Sequence, residues 1–423
     1  RGVTTTYAYN TAGDLWKVNY SDNTPGLTNT YDRRGRLASV ARTNRTVSWT
    51  YNDADRPLTE TIAGGTLGGW SVVSEYNDKL QRTHQRLREG GTTRQEARFG
   101  YDPAGRLSAV TNGLATGLRA AYGYLPNSRL VGSLALTNNG TARGLVTTRD
   151  YDRLNRLQTI SSKAFGTGAP TLPVAFDYQI NAANQRTRVN REDGAYWVYT
   201  YDELGQVISG RKYWGDGTEV AGQQFDYTFD TIGNRDLTGG RASAVSDYTV
   251  NRLNQYSQRT VTAQVDILGV ANPTTNVTAR VIGGTTYTAA RKGDYYHHPL
   301  TVGNNVYPQV EVKSLYGATQ AQTNRVFNPP ATETFTHDGD GNLTQDGRWT
   351  YIWDGENRLV EMKRDTDTPA GARQRLVFEY DHQGRRIRKQ FYTYSGGWQE
   401  QSDTVCLYDG WNLMGELDAN ASN

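Results

Sequence analysis

The residues able to do chemistry are few and scattered. The chain has 423 residues, with 5 His and 1 Cys among them. Tyr295-Tyr296-His297-His298-Pro299 sets two imidazoles side by side, but strand neighbours point to opposite faces and do not share a metal. His84, His337 and His382 stand at no ligand spacing, so the histidines read as polar edge or loop residues. Cys406 excludes an intrachain disulfide and has no His close in sequence to activate it; beside Leu407 it reads as a small apolar residue. Asp338-Gly339-Asp340-Gly341-Asn342 opens like a calcium loop, yet Leu343 fills the position that needs Gly and Trp349 the position that needs Glu. The acid pairs Asp53/Asp55 and Glu192/Asp193 would suit glycoside hydrolysis only if two carboxylates faced each other across a cleft. Sequence neighbours do not show that, and no G-x-S-x-G suggests a nucleophilic serine. The run Trp197, Tyr199, Tyr201, Tyr213, Trp214 offers stacking faces for sugars; its strand spacing fits packing between strands better. Sequons stand at Asn44-Arg45-Thr46, Asn139-Gly140-Thr141 and Asn276-Val277-Thr278, of consequence only in a host that glycosylates. No catalytic residue, cofactor site or metal site is assigned.

The residues that do recur on a fixed spacing have backbone work to do. Tyr31-Asp32-Arg33-Arg34-Gly35-Arg36-Leu37 returns at Tyr101-Asp102-Pro103-Ala104-Gly105-Arg106-Leu107 and at Tyr151-Asp152-Arg153-Leu154-Asn155-Arg156-Leu157. It returns again at Tyr201-Asp202-Glu203-Leu204-Gly205 and Tyr380-Asp381-His382-Gln383-Gly384-Arg385-Arg386. Asp suits the first position of a type I turn, where it accepts from the backbone N–H two residues on. Pro103 falls where its fixed φ fits. Gly, or Asn155, stands where a left-handed residue closes the turn as a bulge. Strand formers flank the turn on both sides. Each copy predicts the tip of a β-hairpin.

The elements that carry these tips follow from the spacing. From Tyr9 to about Val261 the copies recur every 20–28 residues, as in a supersecondary-repeat array. Tyr51, Tyr76, Tyr124, Tyr178, Phe229 and Tyr248 mark the looser copies. Alternating stretches such as Thr46–Tyr51 and Tyr196–Tyr201 have the period of strands. Lys79–Glu96 is charged like a helix, but Gly90-Gly91 inside it predicts a hairpin loop. About 262–330 lacks the turn motif and reads as an inserted, sandwich-like β module. The repeats resume at Asp338, Asp354, Asp381 and Asp409. The expected organisation is therefore a repeat array over 1–261, the insert over 262–330 and a second array over 331–423.

Composition agrees with a thin architecture. Hydrophobic residues make up 36% of the chain and mean hydropathy is −0.72, polar for a folded domain. Yet 28 Tyr, 9 Trp and 9 Phe are far too aromatic for disorder. Tyr and long Arg side chains would cover surface that Leu and Ile fill in a thick core. The net charge of +3 does not predict nucleic-acid binding, since many Arg sit at the fixed post-turn position. No apolar run reaches the length of a membrane span. Arg1-Gly2-Val3 leads directly into repeat-like sequence without a signal peptide, so the chain is expected to be a fragment of a longer polypeptide.

The motif Y-D-x-x-G-R-L, repeated over nearly the whole chain, resembles the YD-repeat (Rhs) family, which includes bacterial Rhs toxins, Tc toxin C components and teneurins. The resemblance implies an all-β fold: an array of β-hairpins in a curved, spiralling sheet, part of a hollow β-shell. It implies a secreted or cell-surface structural role, with a C-terminal toxin or cargo domain of the same polypeptide as partner. The family's aspartyl autoprotease and cargo would lie beyond residue 423. The only Asp-Pro, Asp102-Pro103, is inside a turn. A teneurin-type adhesin binding a glycan or protein at the cell surface is the alternative.

Overall fold

The computed structural model describes residues 2–114, 117–138, 143–170, 172–240, 243–316, 318–364 and 368–420. The sequon at Asn139 lies outside the described residues. Nearly every ordered element is a strand, from Thr5–Tyr9 to Asn412–Asp418; a single 3-10 turn, Ala370–Ala372, is the one helical element among the described residues.

In the two meanders the strands follow one rule: each pairs antiparallel with its neighbour in sequence. The strands from Thr5–Tyr9 to Tyr256–Thr260 form one meander. Thr332–Thr334 adds itself to the last of them, completing a 23-stranded sheet. At about 4.8 Å per strand, such a ribbon is on the order of 110 Å long before curvature. Residues 336–418 form a second meander, an 8-stranded sheet. Between them lie a 3-stranded sheet (Gln264–Val270, Tyr295–Thr301, Ala290–Lys292) and a 4-stranded sheet (Tyr287–Thr288, Val277–Val281, Gln309–Tyr316, Ala318–Arg325). Lys79–Glu96 is a hairpin, Arg82–Glu89 with Thr92–Tyr101, turning at Gly90-Gly91.

Most of the ribbon is one layer thick. The chain exposes 24010 Å², against roughly 16,000 Å² for a compact globule of 47.1 kDa. Long side chains cover the faces that no second layer covers. Arg186 lies over the Tyr178 ring at 4.0 Å, Arg188 over Tyr196 at 3.5 Å and Arg191 over Phe176 at 4.5 Å. These contacts keep the charge wet while burying the stem and the ring.

A second layer exists where the chain returns on itself. Val40, Val47 and Ile62 stand opposite one another across neighbouring strands, as do Val72 and Leu87. Against this apolar stripe pack Val405 and Leu407 of the second meander, with Trp70 and Leu67, in one buried cluster. Around that core, Arg82 pairs with Asp409 at 2.5 Å, and Arg42 donates to the Asp381 carbonyl at 3.0 Å. Tyr20 donates to Glu356. The first and second arrays thus meet face to face along a seam formed by residues more than three hundred positions apart.

The three-stranded inserted sheet is docked on the ribbon. Tyr295 donates its hydroxyl to the Ala221 carbonyl at 2.6 Å, and Lys292 meets Asp216 at 2.5 Å. The histidine pair is not at an edge, contrary to the sequence reading. Its strand, Tyr295–Thr301, is the middle one of the three, and His297 is buried with Nε2 2.7 Å from Asp266. His298 faces the other way and stacks on Tyr287 at 5.0 Å.

Candidate functional site

The recurrent site of this molecule is its ladder of turns. At Asp32 the backbone N–H donates to the Arg36 carbonyl at 2.9 Å, and the Gly35 N–H donates back to the Asp32 carbonyl at 3.0 Å. The Asp32 carboxylate accepts the N–H groups of Arg34 and Arg36 at 2.8 and 3.0 Å. Asp102 with Gly105, Asp152 with Asn155, Asp202 with Gly205 and Asp381 with Gly384 make the same backbone pair. The closing residues have φ of 75° (Gly35), 76° (Gly105), 62° (Asn155), 83° (Gly205) and 80° (Gly384). The register slips by one residue at Tyr31, Tyr151, Tyr201 and Tyr380, where the bulge sits.

The tyrosine of each motif ties one repeat to the one before. Tyr31 donates its hydroxyl to the Leu15 carbonyl at 2.8 Å, and Tyr101 to Arg82 at 2.8 Å. Tyr151 reaches Val131 at 3.1 Å, Tyr201 reaches Arg186 at 2.6 Å and Tyr380 reaches Leu359 at 2.8 Å. Each acceptor is a backbone carbonyl at the start of the strand just after an earlier turn. A phenylalanine would fill the space and lose the tie.

The post-turn arginine ties the repeat to the one after, a role the sequence did not disclose. Arg36 pairs with its own Asp32 at 2.7 Å, donates to the Asn52 carbonyl at 3.1 Å and lies 4.6 Å over the Tyr51 ring. Arg156 pairs with Asp152 at 2.6 Å and reaches Asn181 at 3.3 Å. Arg106 clamps Asp102 and the Ser128 carbonyl and lies over Tyr124 at 4.3 Å. Arg358 and Arg385 repeat the pattern over Tyr380 and Tyr408. Where Asp is replaced by Asn, the arginine is often replaced as well: Asn77 with Gln81, Asn181 with Gln185 and Asn251 with Gln255 hold the same contact as a neutral amide pair.

Two looser copies stand elsewhere than the aromatic spacing indicated. The tips assigned to Tyr178 and Tyr248 form two residues later, at Asn181–Asn184 and Asn251–Asn254. Ile180 and Val250 occupy the tyrosine's slot there. Two others close on neither Gly nor Asn: Asp55 at 59° and Leu80 at 58°. Leu80 is exposed and lacks the short polar side chain that tolerates this region. Leu80→Asn is expected to raise stability by about 1 kcal/mol, read as an upward shift of the denaturant midpoint with unchanged slope.

The electrostatics of the ladder give a pH signature. The backbone N–H of Arg106, with its guanidinium, holds the Asp102 carboxyl below the usual carboxylate range. Arg156 does the same for Asp152, and the Asn234 amide for Asp230. A carboxyl lowered on folding contributes stability that is fully present above its unfolded pKa, about 4, and is lost as pH falls toward the folded value. Melting temperature is therefore expected to be flat from about pH 5 to 8 and to fall below about pH 4.

The residues first considered for chemistry are engaged elsewhere. Asp338 accepts from Asp340 N at 3.0 Å and Asn342 N at 2.9 Å, as any turn Asp here does. Asp55 pairs with Arg36 at 2.7 Å. The Ala175 N–H and Arg191 hold the Glu192 carboxyl down to about 2, while Asp193 accepts from Ala195 N at 2.9 Å. Cys406 is buried, and burial pushes its thiol up, away from nucleophile chemistry. Trp197 stacks on Tyr199 and Phe225, each at 6.2 Å, and Tyr196 on Tyr213 at 5.3 Å, so the aromatic run packs against itself. Among the described residues, no group of three acids, His or Cys could hold a metal ion.

Solved structures with this arrangement exist. The crystal structure of TcdB2-TccC3-Cdc42 superposes with a TM-score of 0.52 at 13% identity, covering 98% of this chain and 21% of that one. The chain shares the fold of that segment of the structure. The TcdB2-TccC3-TEV crystal structure gives 0.50 at 12% identity, over 96% of this chain and 22% of that one. No family model matches the chain. Two curated relatives are similar over 91 residues at 35% identity: the tRNA3(Ser)-specific nuclease WapA of Bacillus spizizenii and the tRNA nuclease WapA of Bacillus subtilis. That match covers 21% of this chain and 3% of theirs. The chain therefore spans a small part of the curated relatives it matches. No helix among the described residues is long and apolar enough to cross a membrane.

Proposed function

We propose that this chain is a wall segment of an encapsulating β-shell in a secreted or cell-surface toxin-type polypeptide, and that it encloses a C-terminal cargo domain. The observation that carries this reading is the excess of surface. A ribbon exposing 24010 Å² spends its side chains on lateral ties, not on a central core. Such a design suits a container, whose strength lies along the sheet. The YD turns and the aromatic ladder are the working parts: Asp32, Asp102, Asp152, Asp202 and Asp381 fix the tips, and the tyrosines join repeat to repeat. The inserted sheets, 262–330 as a unit, would stiffen the wall where they dock. The segment itself performs no catalysis in this reading. The nuclease activity in the names of the WapA relatives belongs to proteins of which the match spans 3%, and it is not transferred to this chain.

The test is intact-mass analysis of the full-length parent protein, purified natively and then denatured. A C-terminal piece that co-purifies and separates only on denaturation is the expected result. A single unbroken chain would remove the cleaved-cargo mechanism and favour the adhesin, whose own signature would be retention of a glycan on an array.

A further inference from the structure

We infer that the seam between the two arrays holds a binding site for a small organic anion with an apolar body, gripped by Arg42 and Arg45. The two arginines stand directly opposite each other at the end of the hairpin formed by Leu37–Arg42 and Arg45–Tyr51. Residues directly opposite on antiparallel strands project from the same face, and like charges so placed repel. The connecting turn adds strain. Thr43, a β-branched residue, has a φ of 47°, a conformation that costs energy and marks functional positions more often than neutral ones. The turn is also pinned from outside: a Cβ on Gly64 would come within 2.1 Å of the Asn44 carbonyl oxygen.

Both side chains line a cavity of about 830 Å³ between residues 22–67 and 352–388. That is the size range of small-molecule sites. Its apolar wall comes from Val40, Val47, Leu67, Trp353, Phe378 and Ile387. Its carboxylates are already engaged: Asp22 accepts from the Thr24 N–H at 2.9 Å, and Asp354 pairs with Arg358 at 2.6 Å, Glu379 with Arg388 at 2.9 Å and Asp381 with Arg385 at 2.6 Å. Arg45 has no such partner among the described residues, and Arg42 has only the Asp381 carbonyl at 3.0 Å and one long ion pair. Arg42 has Glu356 no nearer than 3.9 Å, and Glu356 is shared with Tyr20 and Arg358. Arg45 Nε and Nη1 are buried and meet no acceptor among the described residues. Burial lowers both guanidinium groups from their ordinary value, outweighing the carboxylates around them. A buried guanidinium with two unmet N–H groups, a second cation beside it that is only weakly paired, and aliphatic and aromatic groups on the other walls define the ligand: a carboxylate, sulfonate or phosphate on an apolar frame.

The experiment is a fluorescence titration of the whole chain at low salt with anilinonaphthalene sulfonate, a sulfonate on an apolar frame. Saturable one-to-one binding is expected, displaced by inorganic phosphate. Arg45→Met, which keeps the apolar stem, should weaken the dye at least about tenfold and leave uncharged N-phenylnaphthylamine unaffected. Arg42→Met should do the same. Because Arg45→Met removes a repelled charge, its melting temperature should equal or exceed that of the unaltered protein. Equal sulfonate affinity in both proteins, or dye that phosphate never displaces from the unaltered protein, would overturn the proposal. So would a fall in the melting temperature of Arg45→Met, which would make Arg45 a structural residue.

Discussion

Asp381→Ala should destabilise the protein by about 3–5 kcal/mol, the range for breaking a buried ion pair from one side. Asp381 and Arg385 are the most buried of the turn pairs, with side chains only 2% and 3% exposed. The carboxylate accepts from Gln383 N at 2.9 Å, Arg385 N at 3.0 Å and Arg385 Nε at 2.6 Å. Alanine removes all three hydrogen bonds and strands a guanidinium between the arrays, with Glu60 at 3.5 Å as its remaining carboxylate. The same substitution at Asp32 should cost markedly less, because that pair stands in water with side chains 27% and 23% exposed. The chain supplies its own control. At Asn181 and Gln185 the corresponding contact is an amide pair at 2.7 Å. The double change Asp381→Asn with Arg385→Gln should therefore recover more than half of the loss, since it leaves no charge behind. Denaturant midpoints of the three variants measure this. A double variant as unstable as the single one would show that Arg385 acts through its contacts with Gly410 and Glu60, not through Asp381.

The sequence disclosed what is local and withheld what is lateral. The hairpin tips were legible because a turn imposes its needs on single positions: Asp at the first, Gly or Asn at the closing one. Asn155 in place of Gly declared the left-handed backbone directly. Leu80 hid the same geometry, since its own preference opposes a left-handed backbone. Ile180 and Val250 hid it differently, by filling the tyrosine's place without its hydroxyl. The arginines were visible as a feature of the repeat, but their second partner, the carbonyl of the next tip, depends on how repeats lie side by side. The seam was invisible. Val47 and Leu407 look like ordinary strand residues, and only the curvature of the whole ribbon brings them together.

Gly105→Val should cost about 2–4 kcal/mol. The first part is backbone: at a φ of 76° an L-residue sits in the left-handed region, at about 1–2 kcal/mol, and a β-branched residue fares worse. The second part is lateral. A Cβ on residue 105 would stand 3.3 Å from Gln81 Nε2, the group that donates to the Gly105 carbonyl at 3.0 Å. Valine therefore disturbs its own tip and the bond from the tip before it. Gly105→Asn separates the two parts. Asparagine holds this position at residue 155 with a φ of 62°, so the backbone part should shrink to under about 1 kcal/mol while the crowding at Gln81 persists. If crowding dominated, the asparagine and valine variants would melt together. If the backbone dominates, as the shared geometry of Gly35, Gly105, Gly205 and Gly384 indicates, asparagine melts close to the unaltered protein and valine far below it. An unchanged melting temperature for valine would remove the left-handed closing residue from the turn. The explanation for Gly or Asn three residues after each Asp would fall with it.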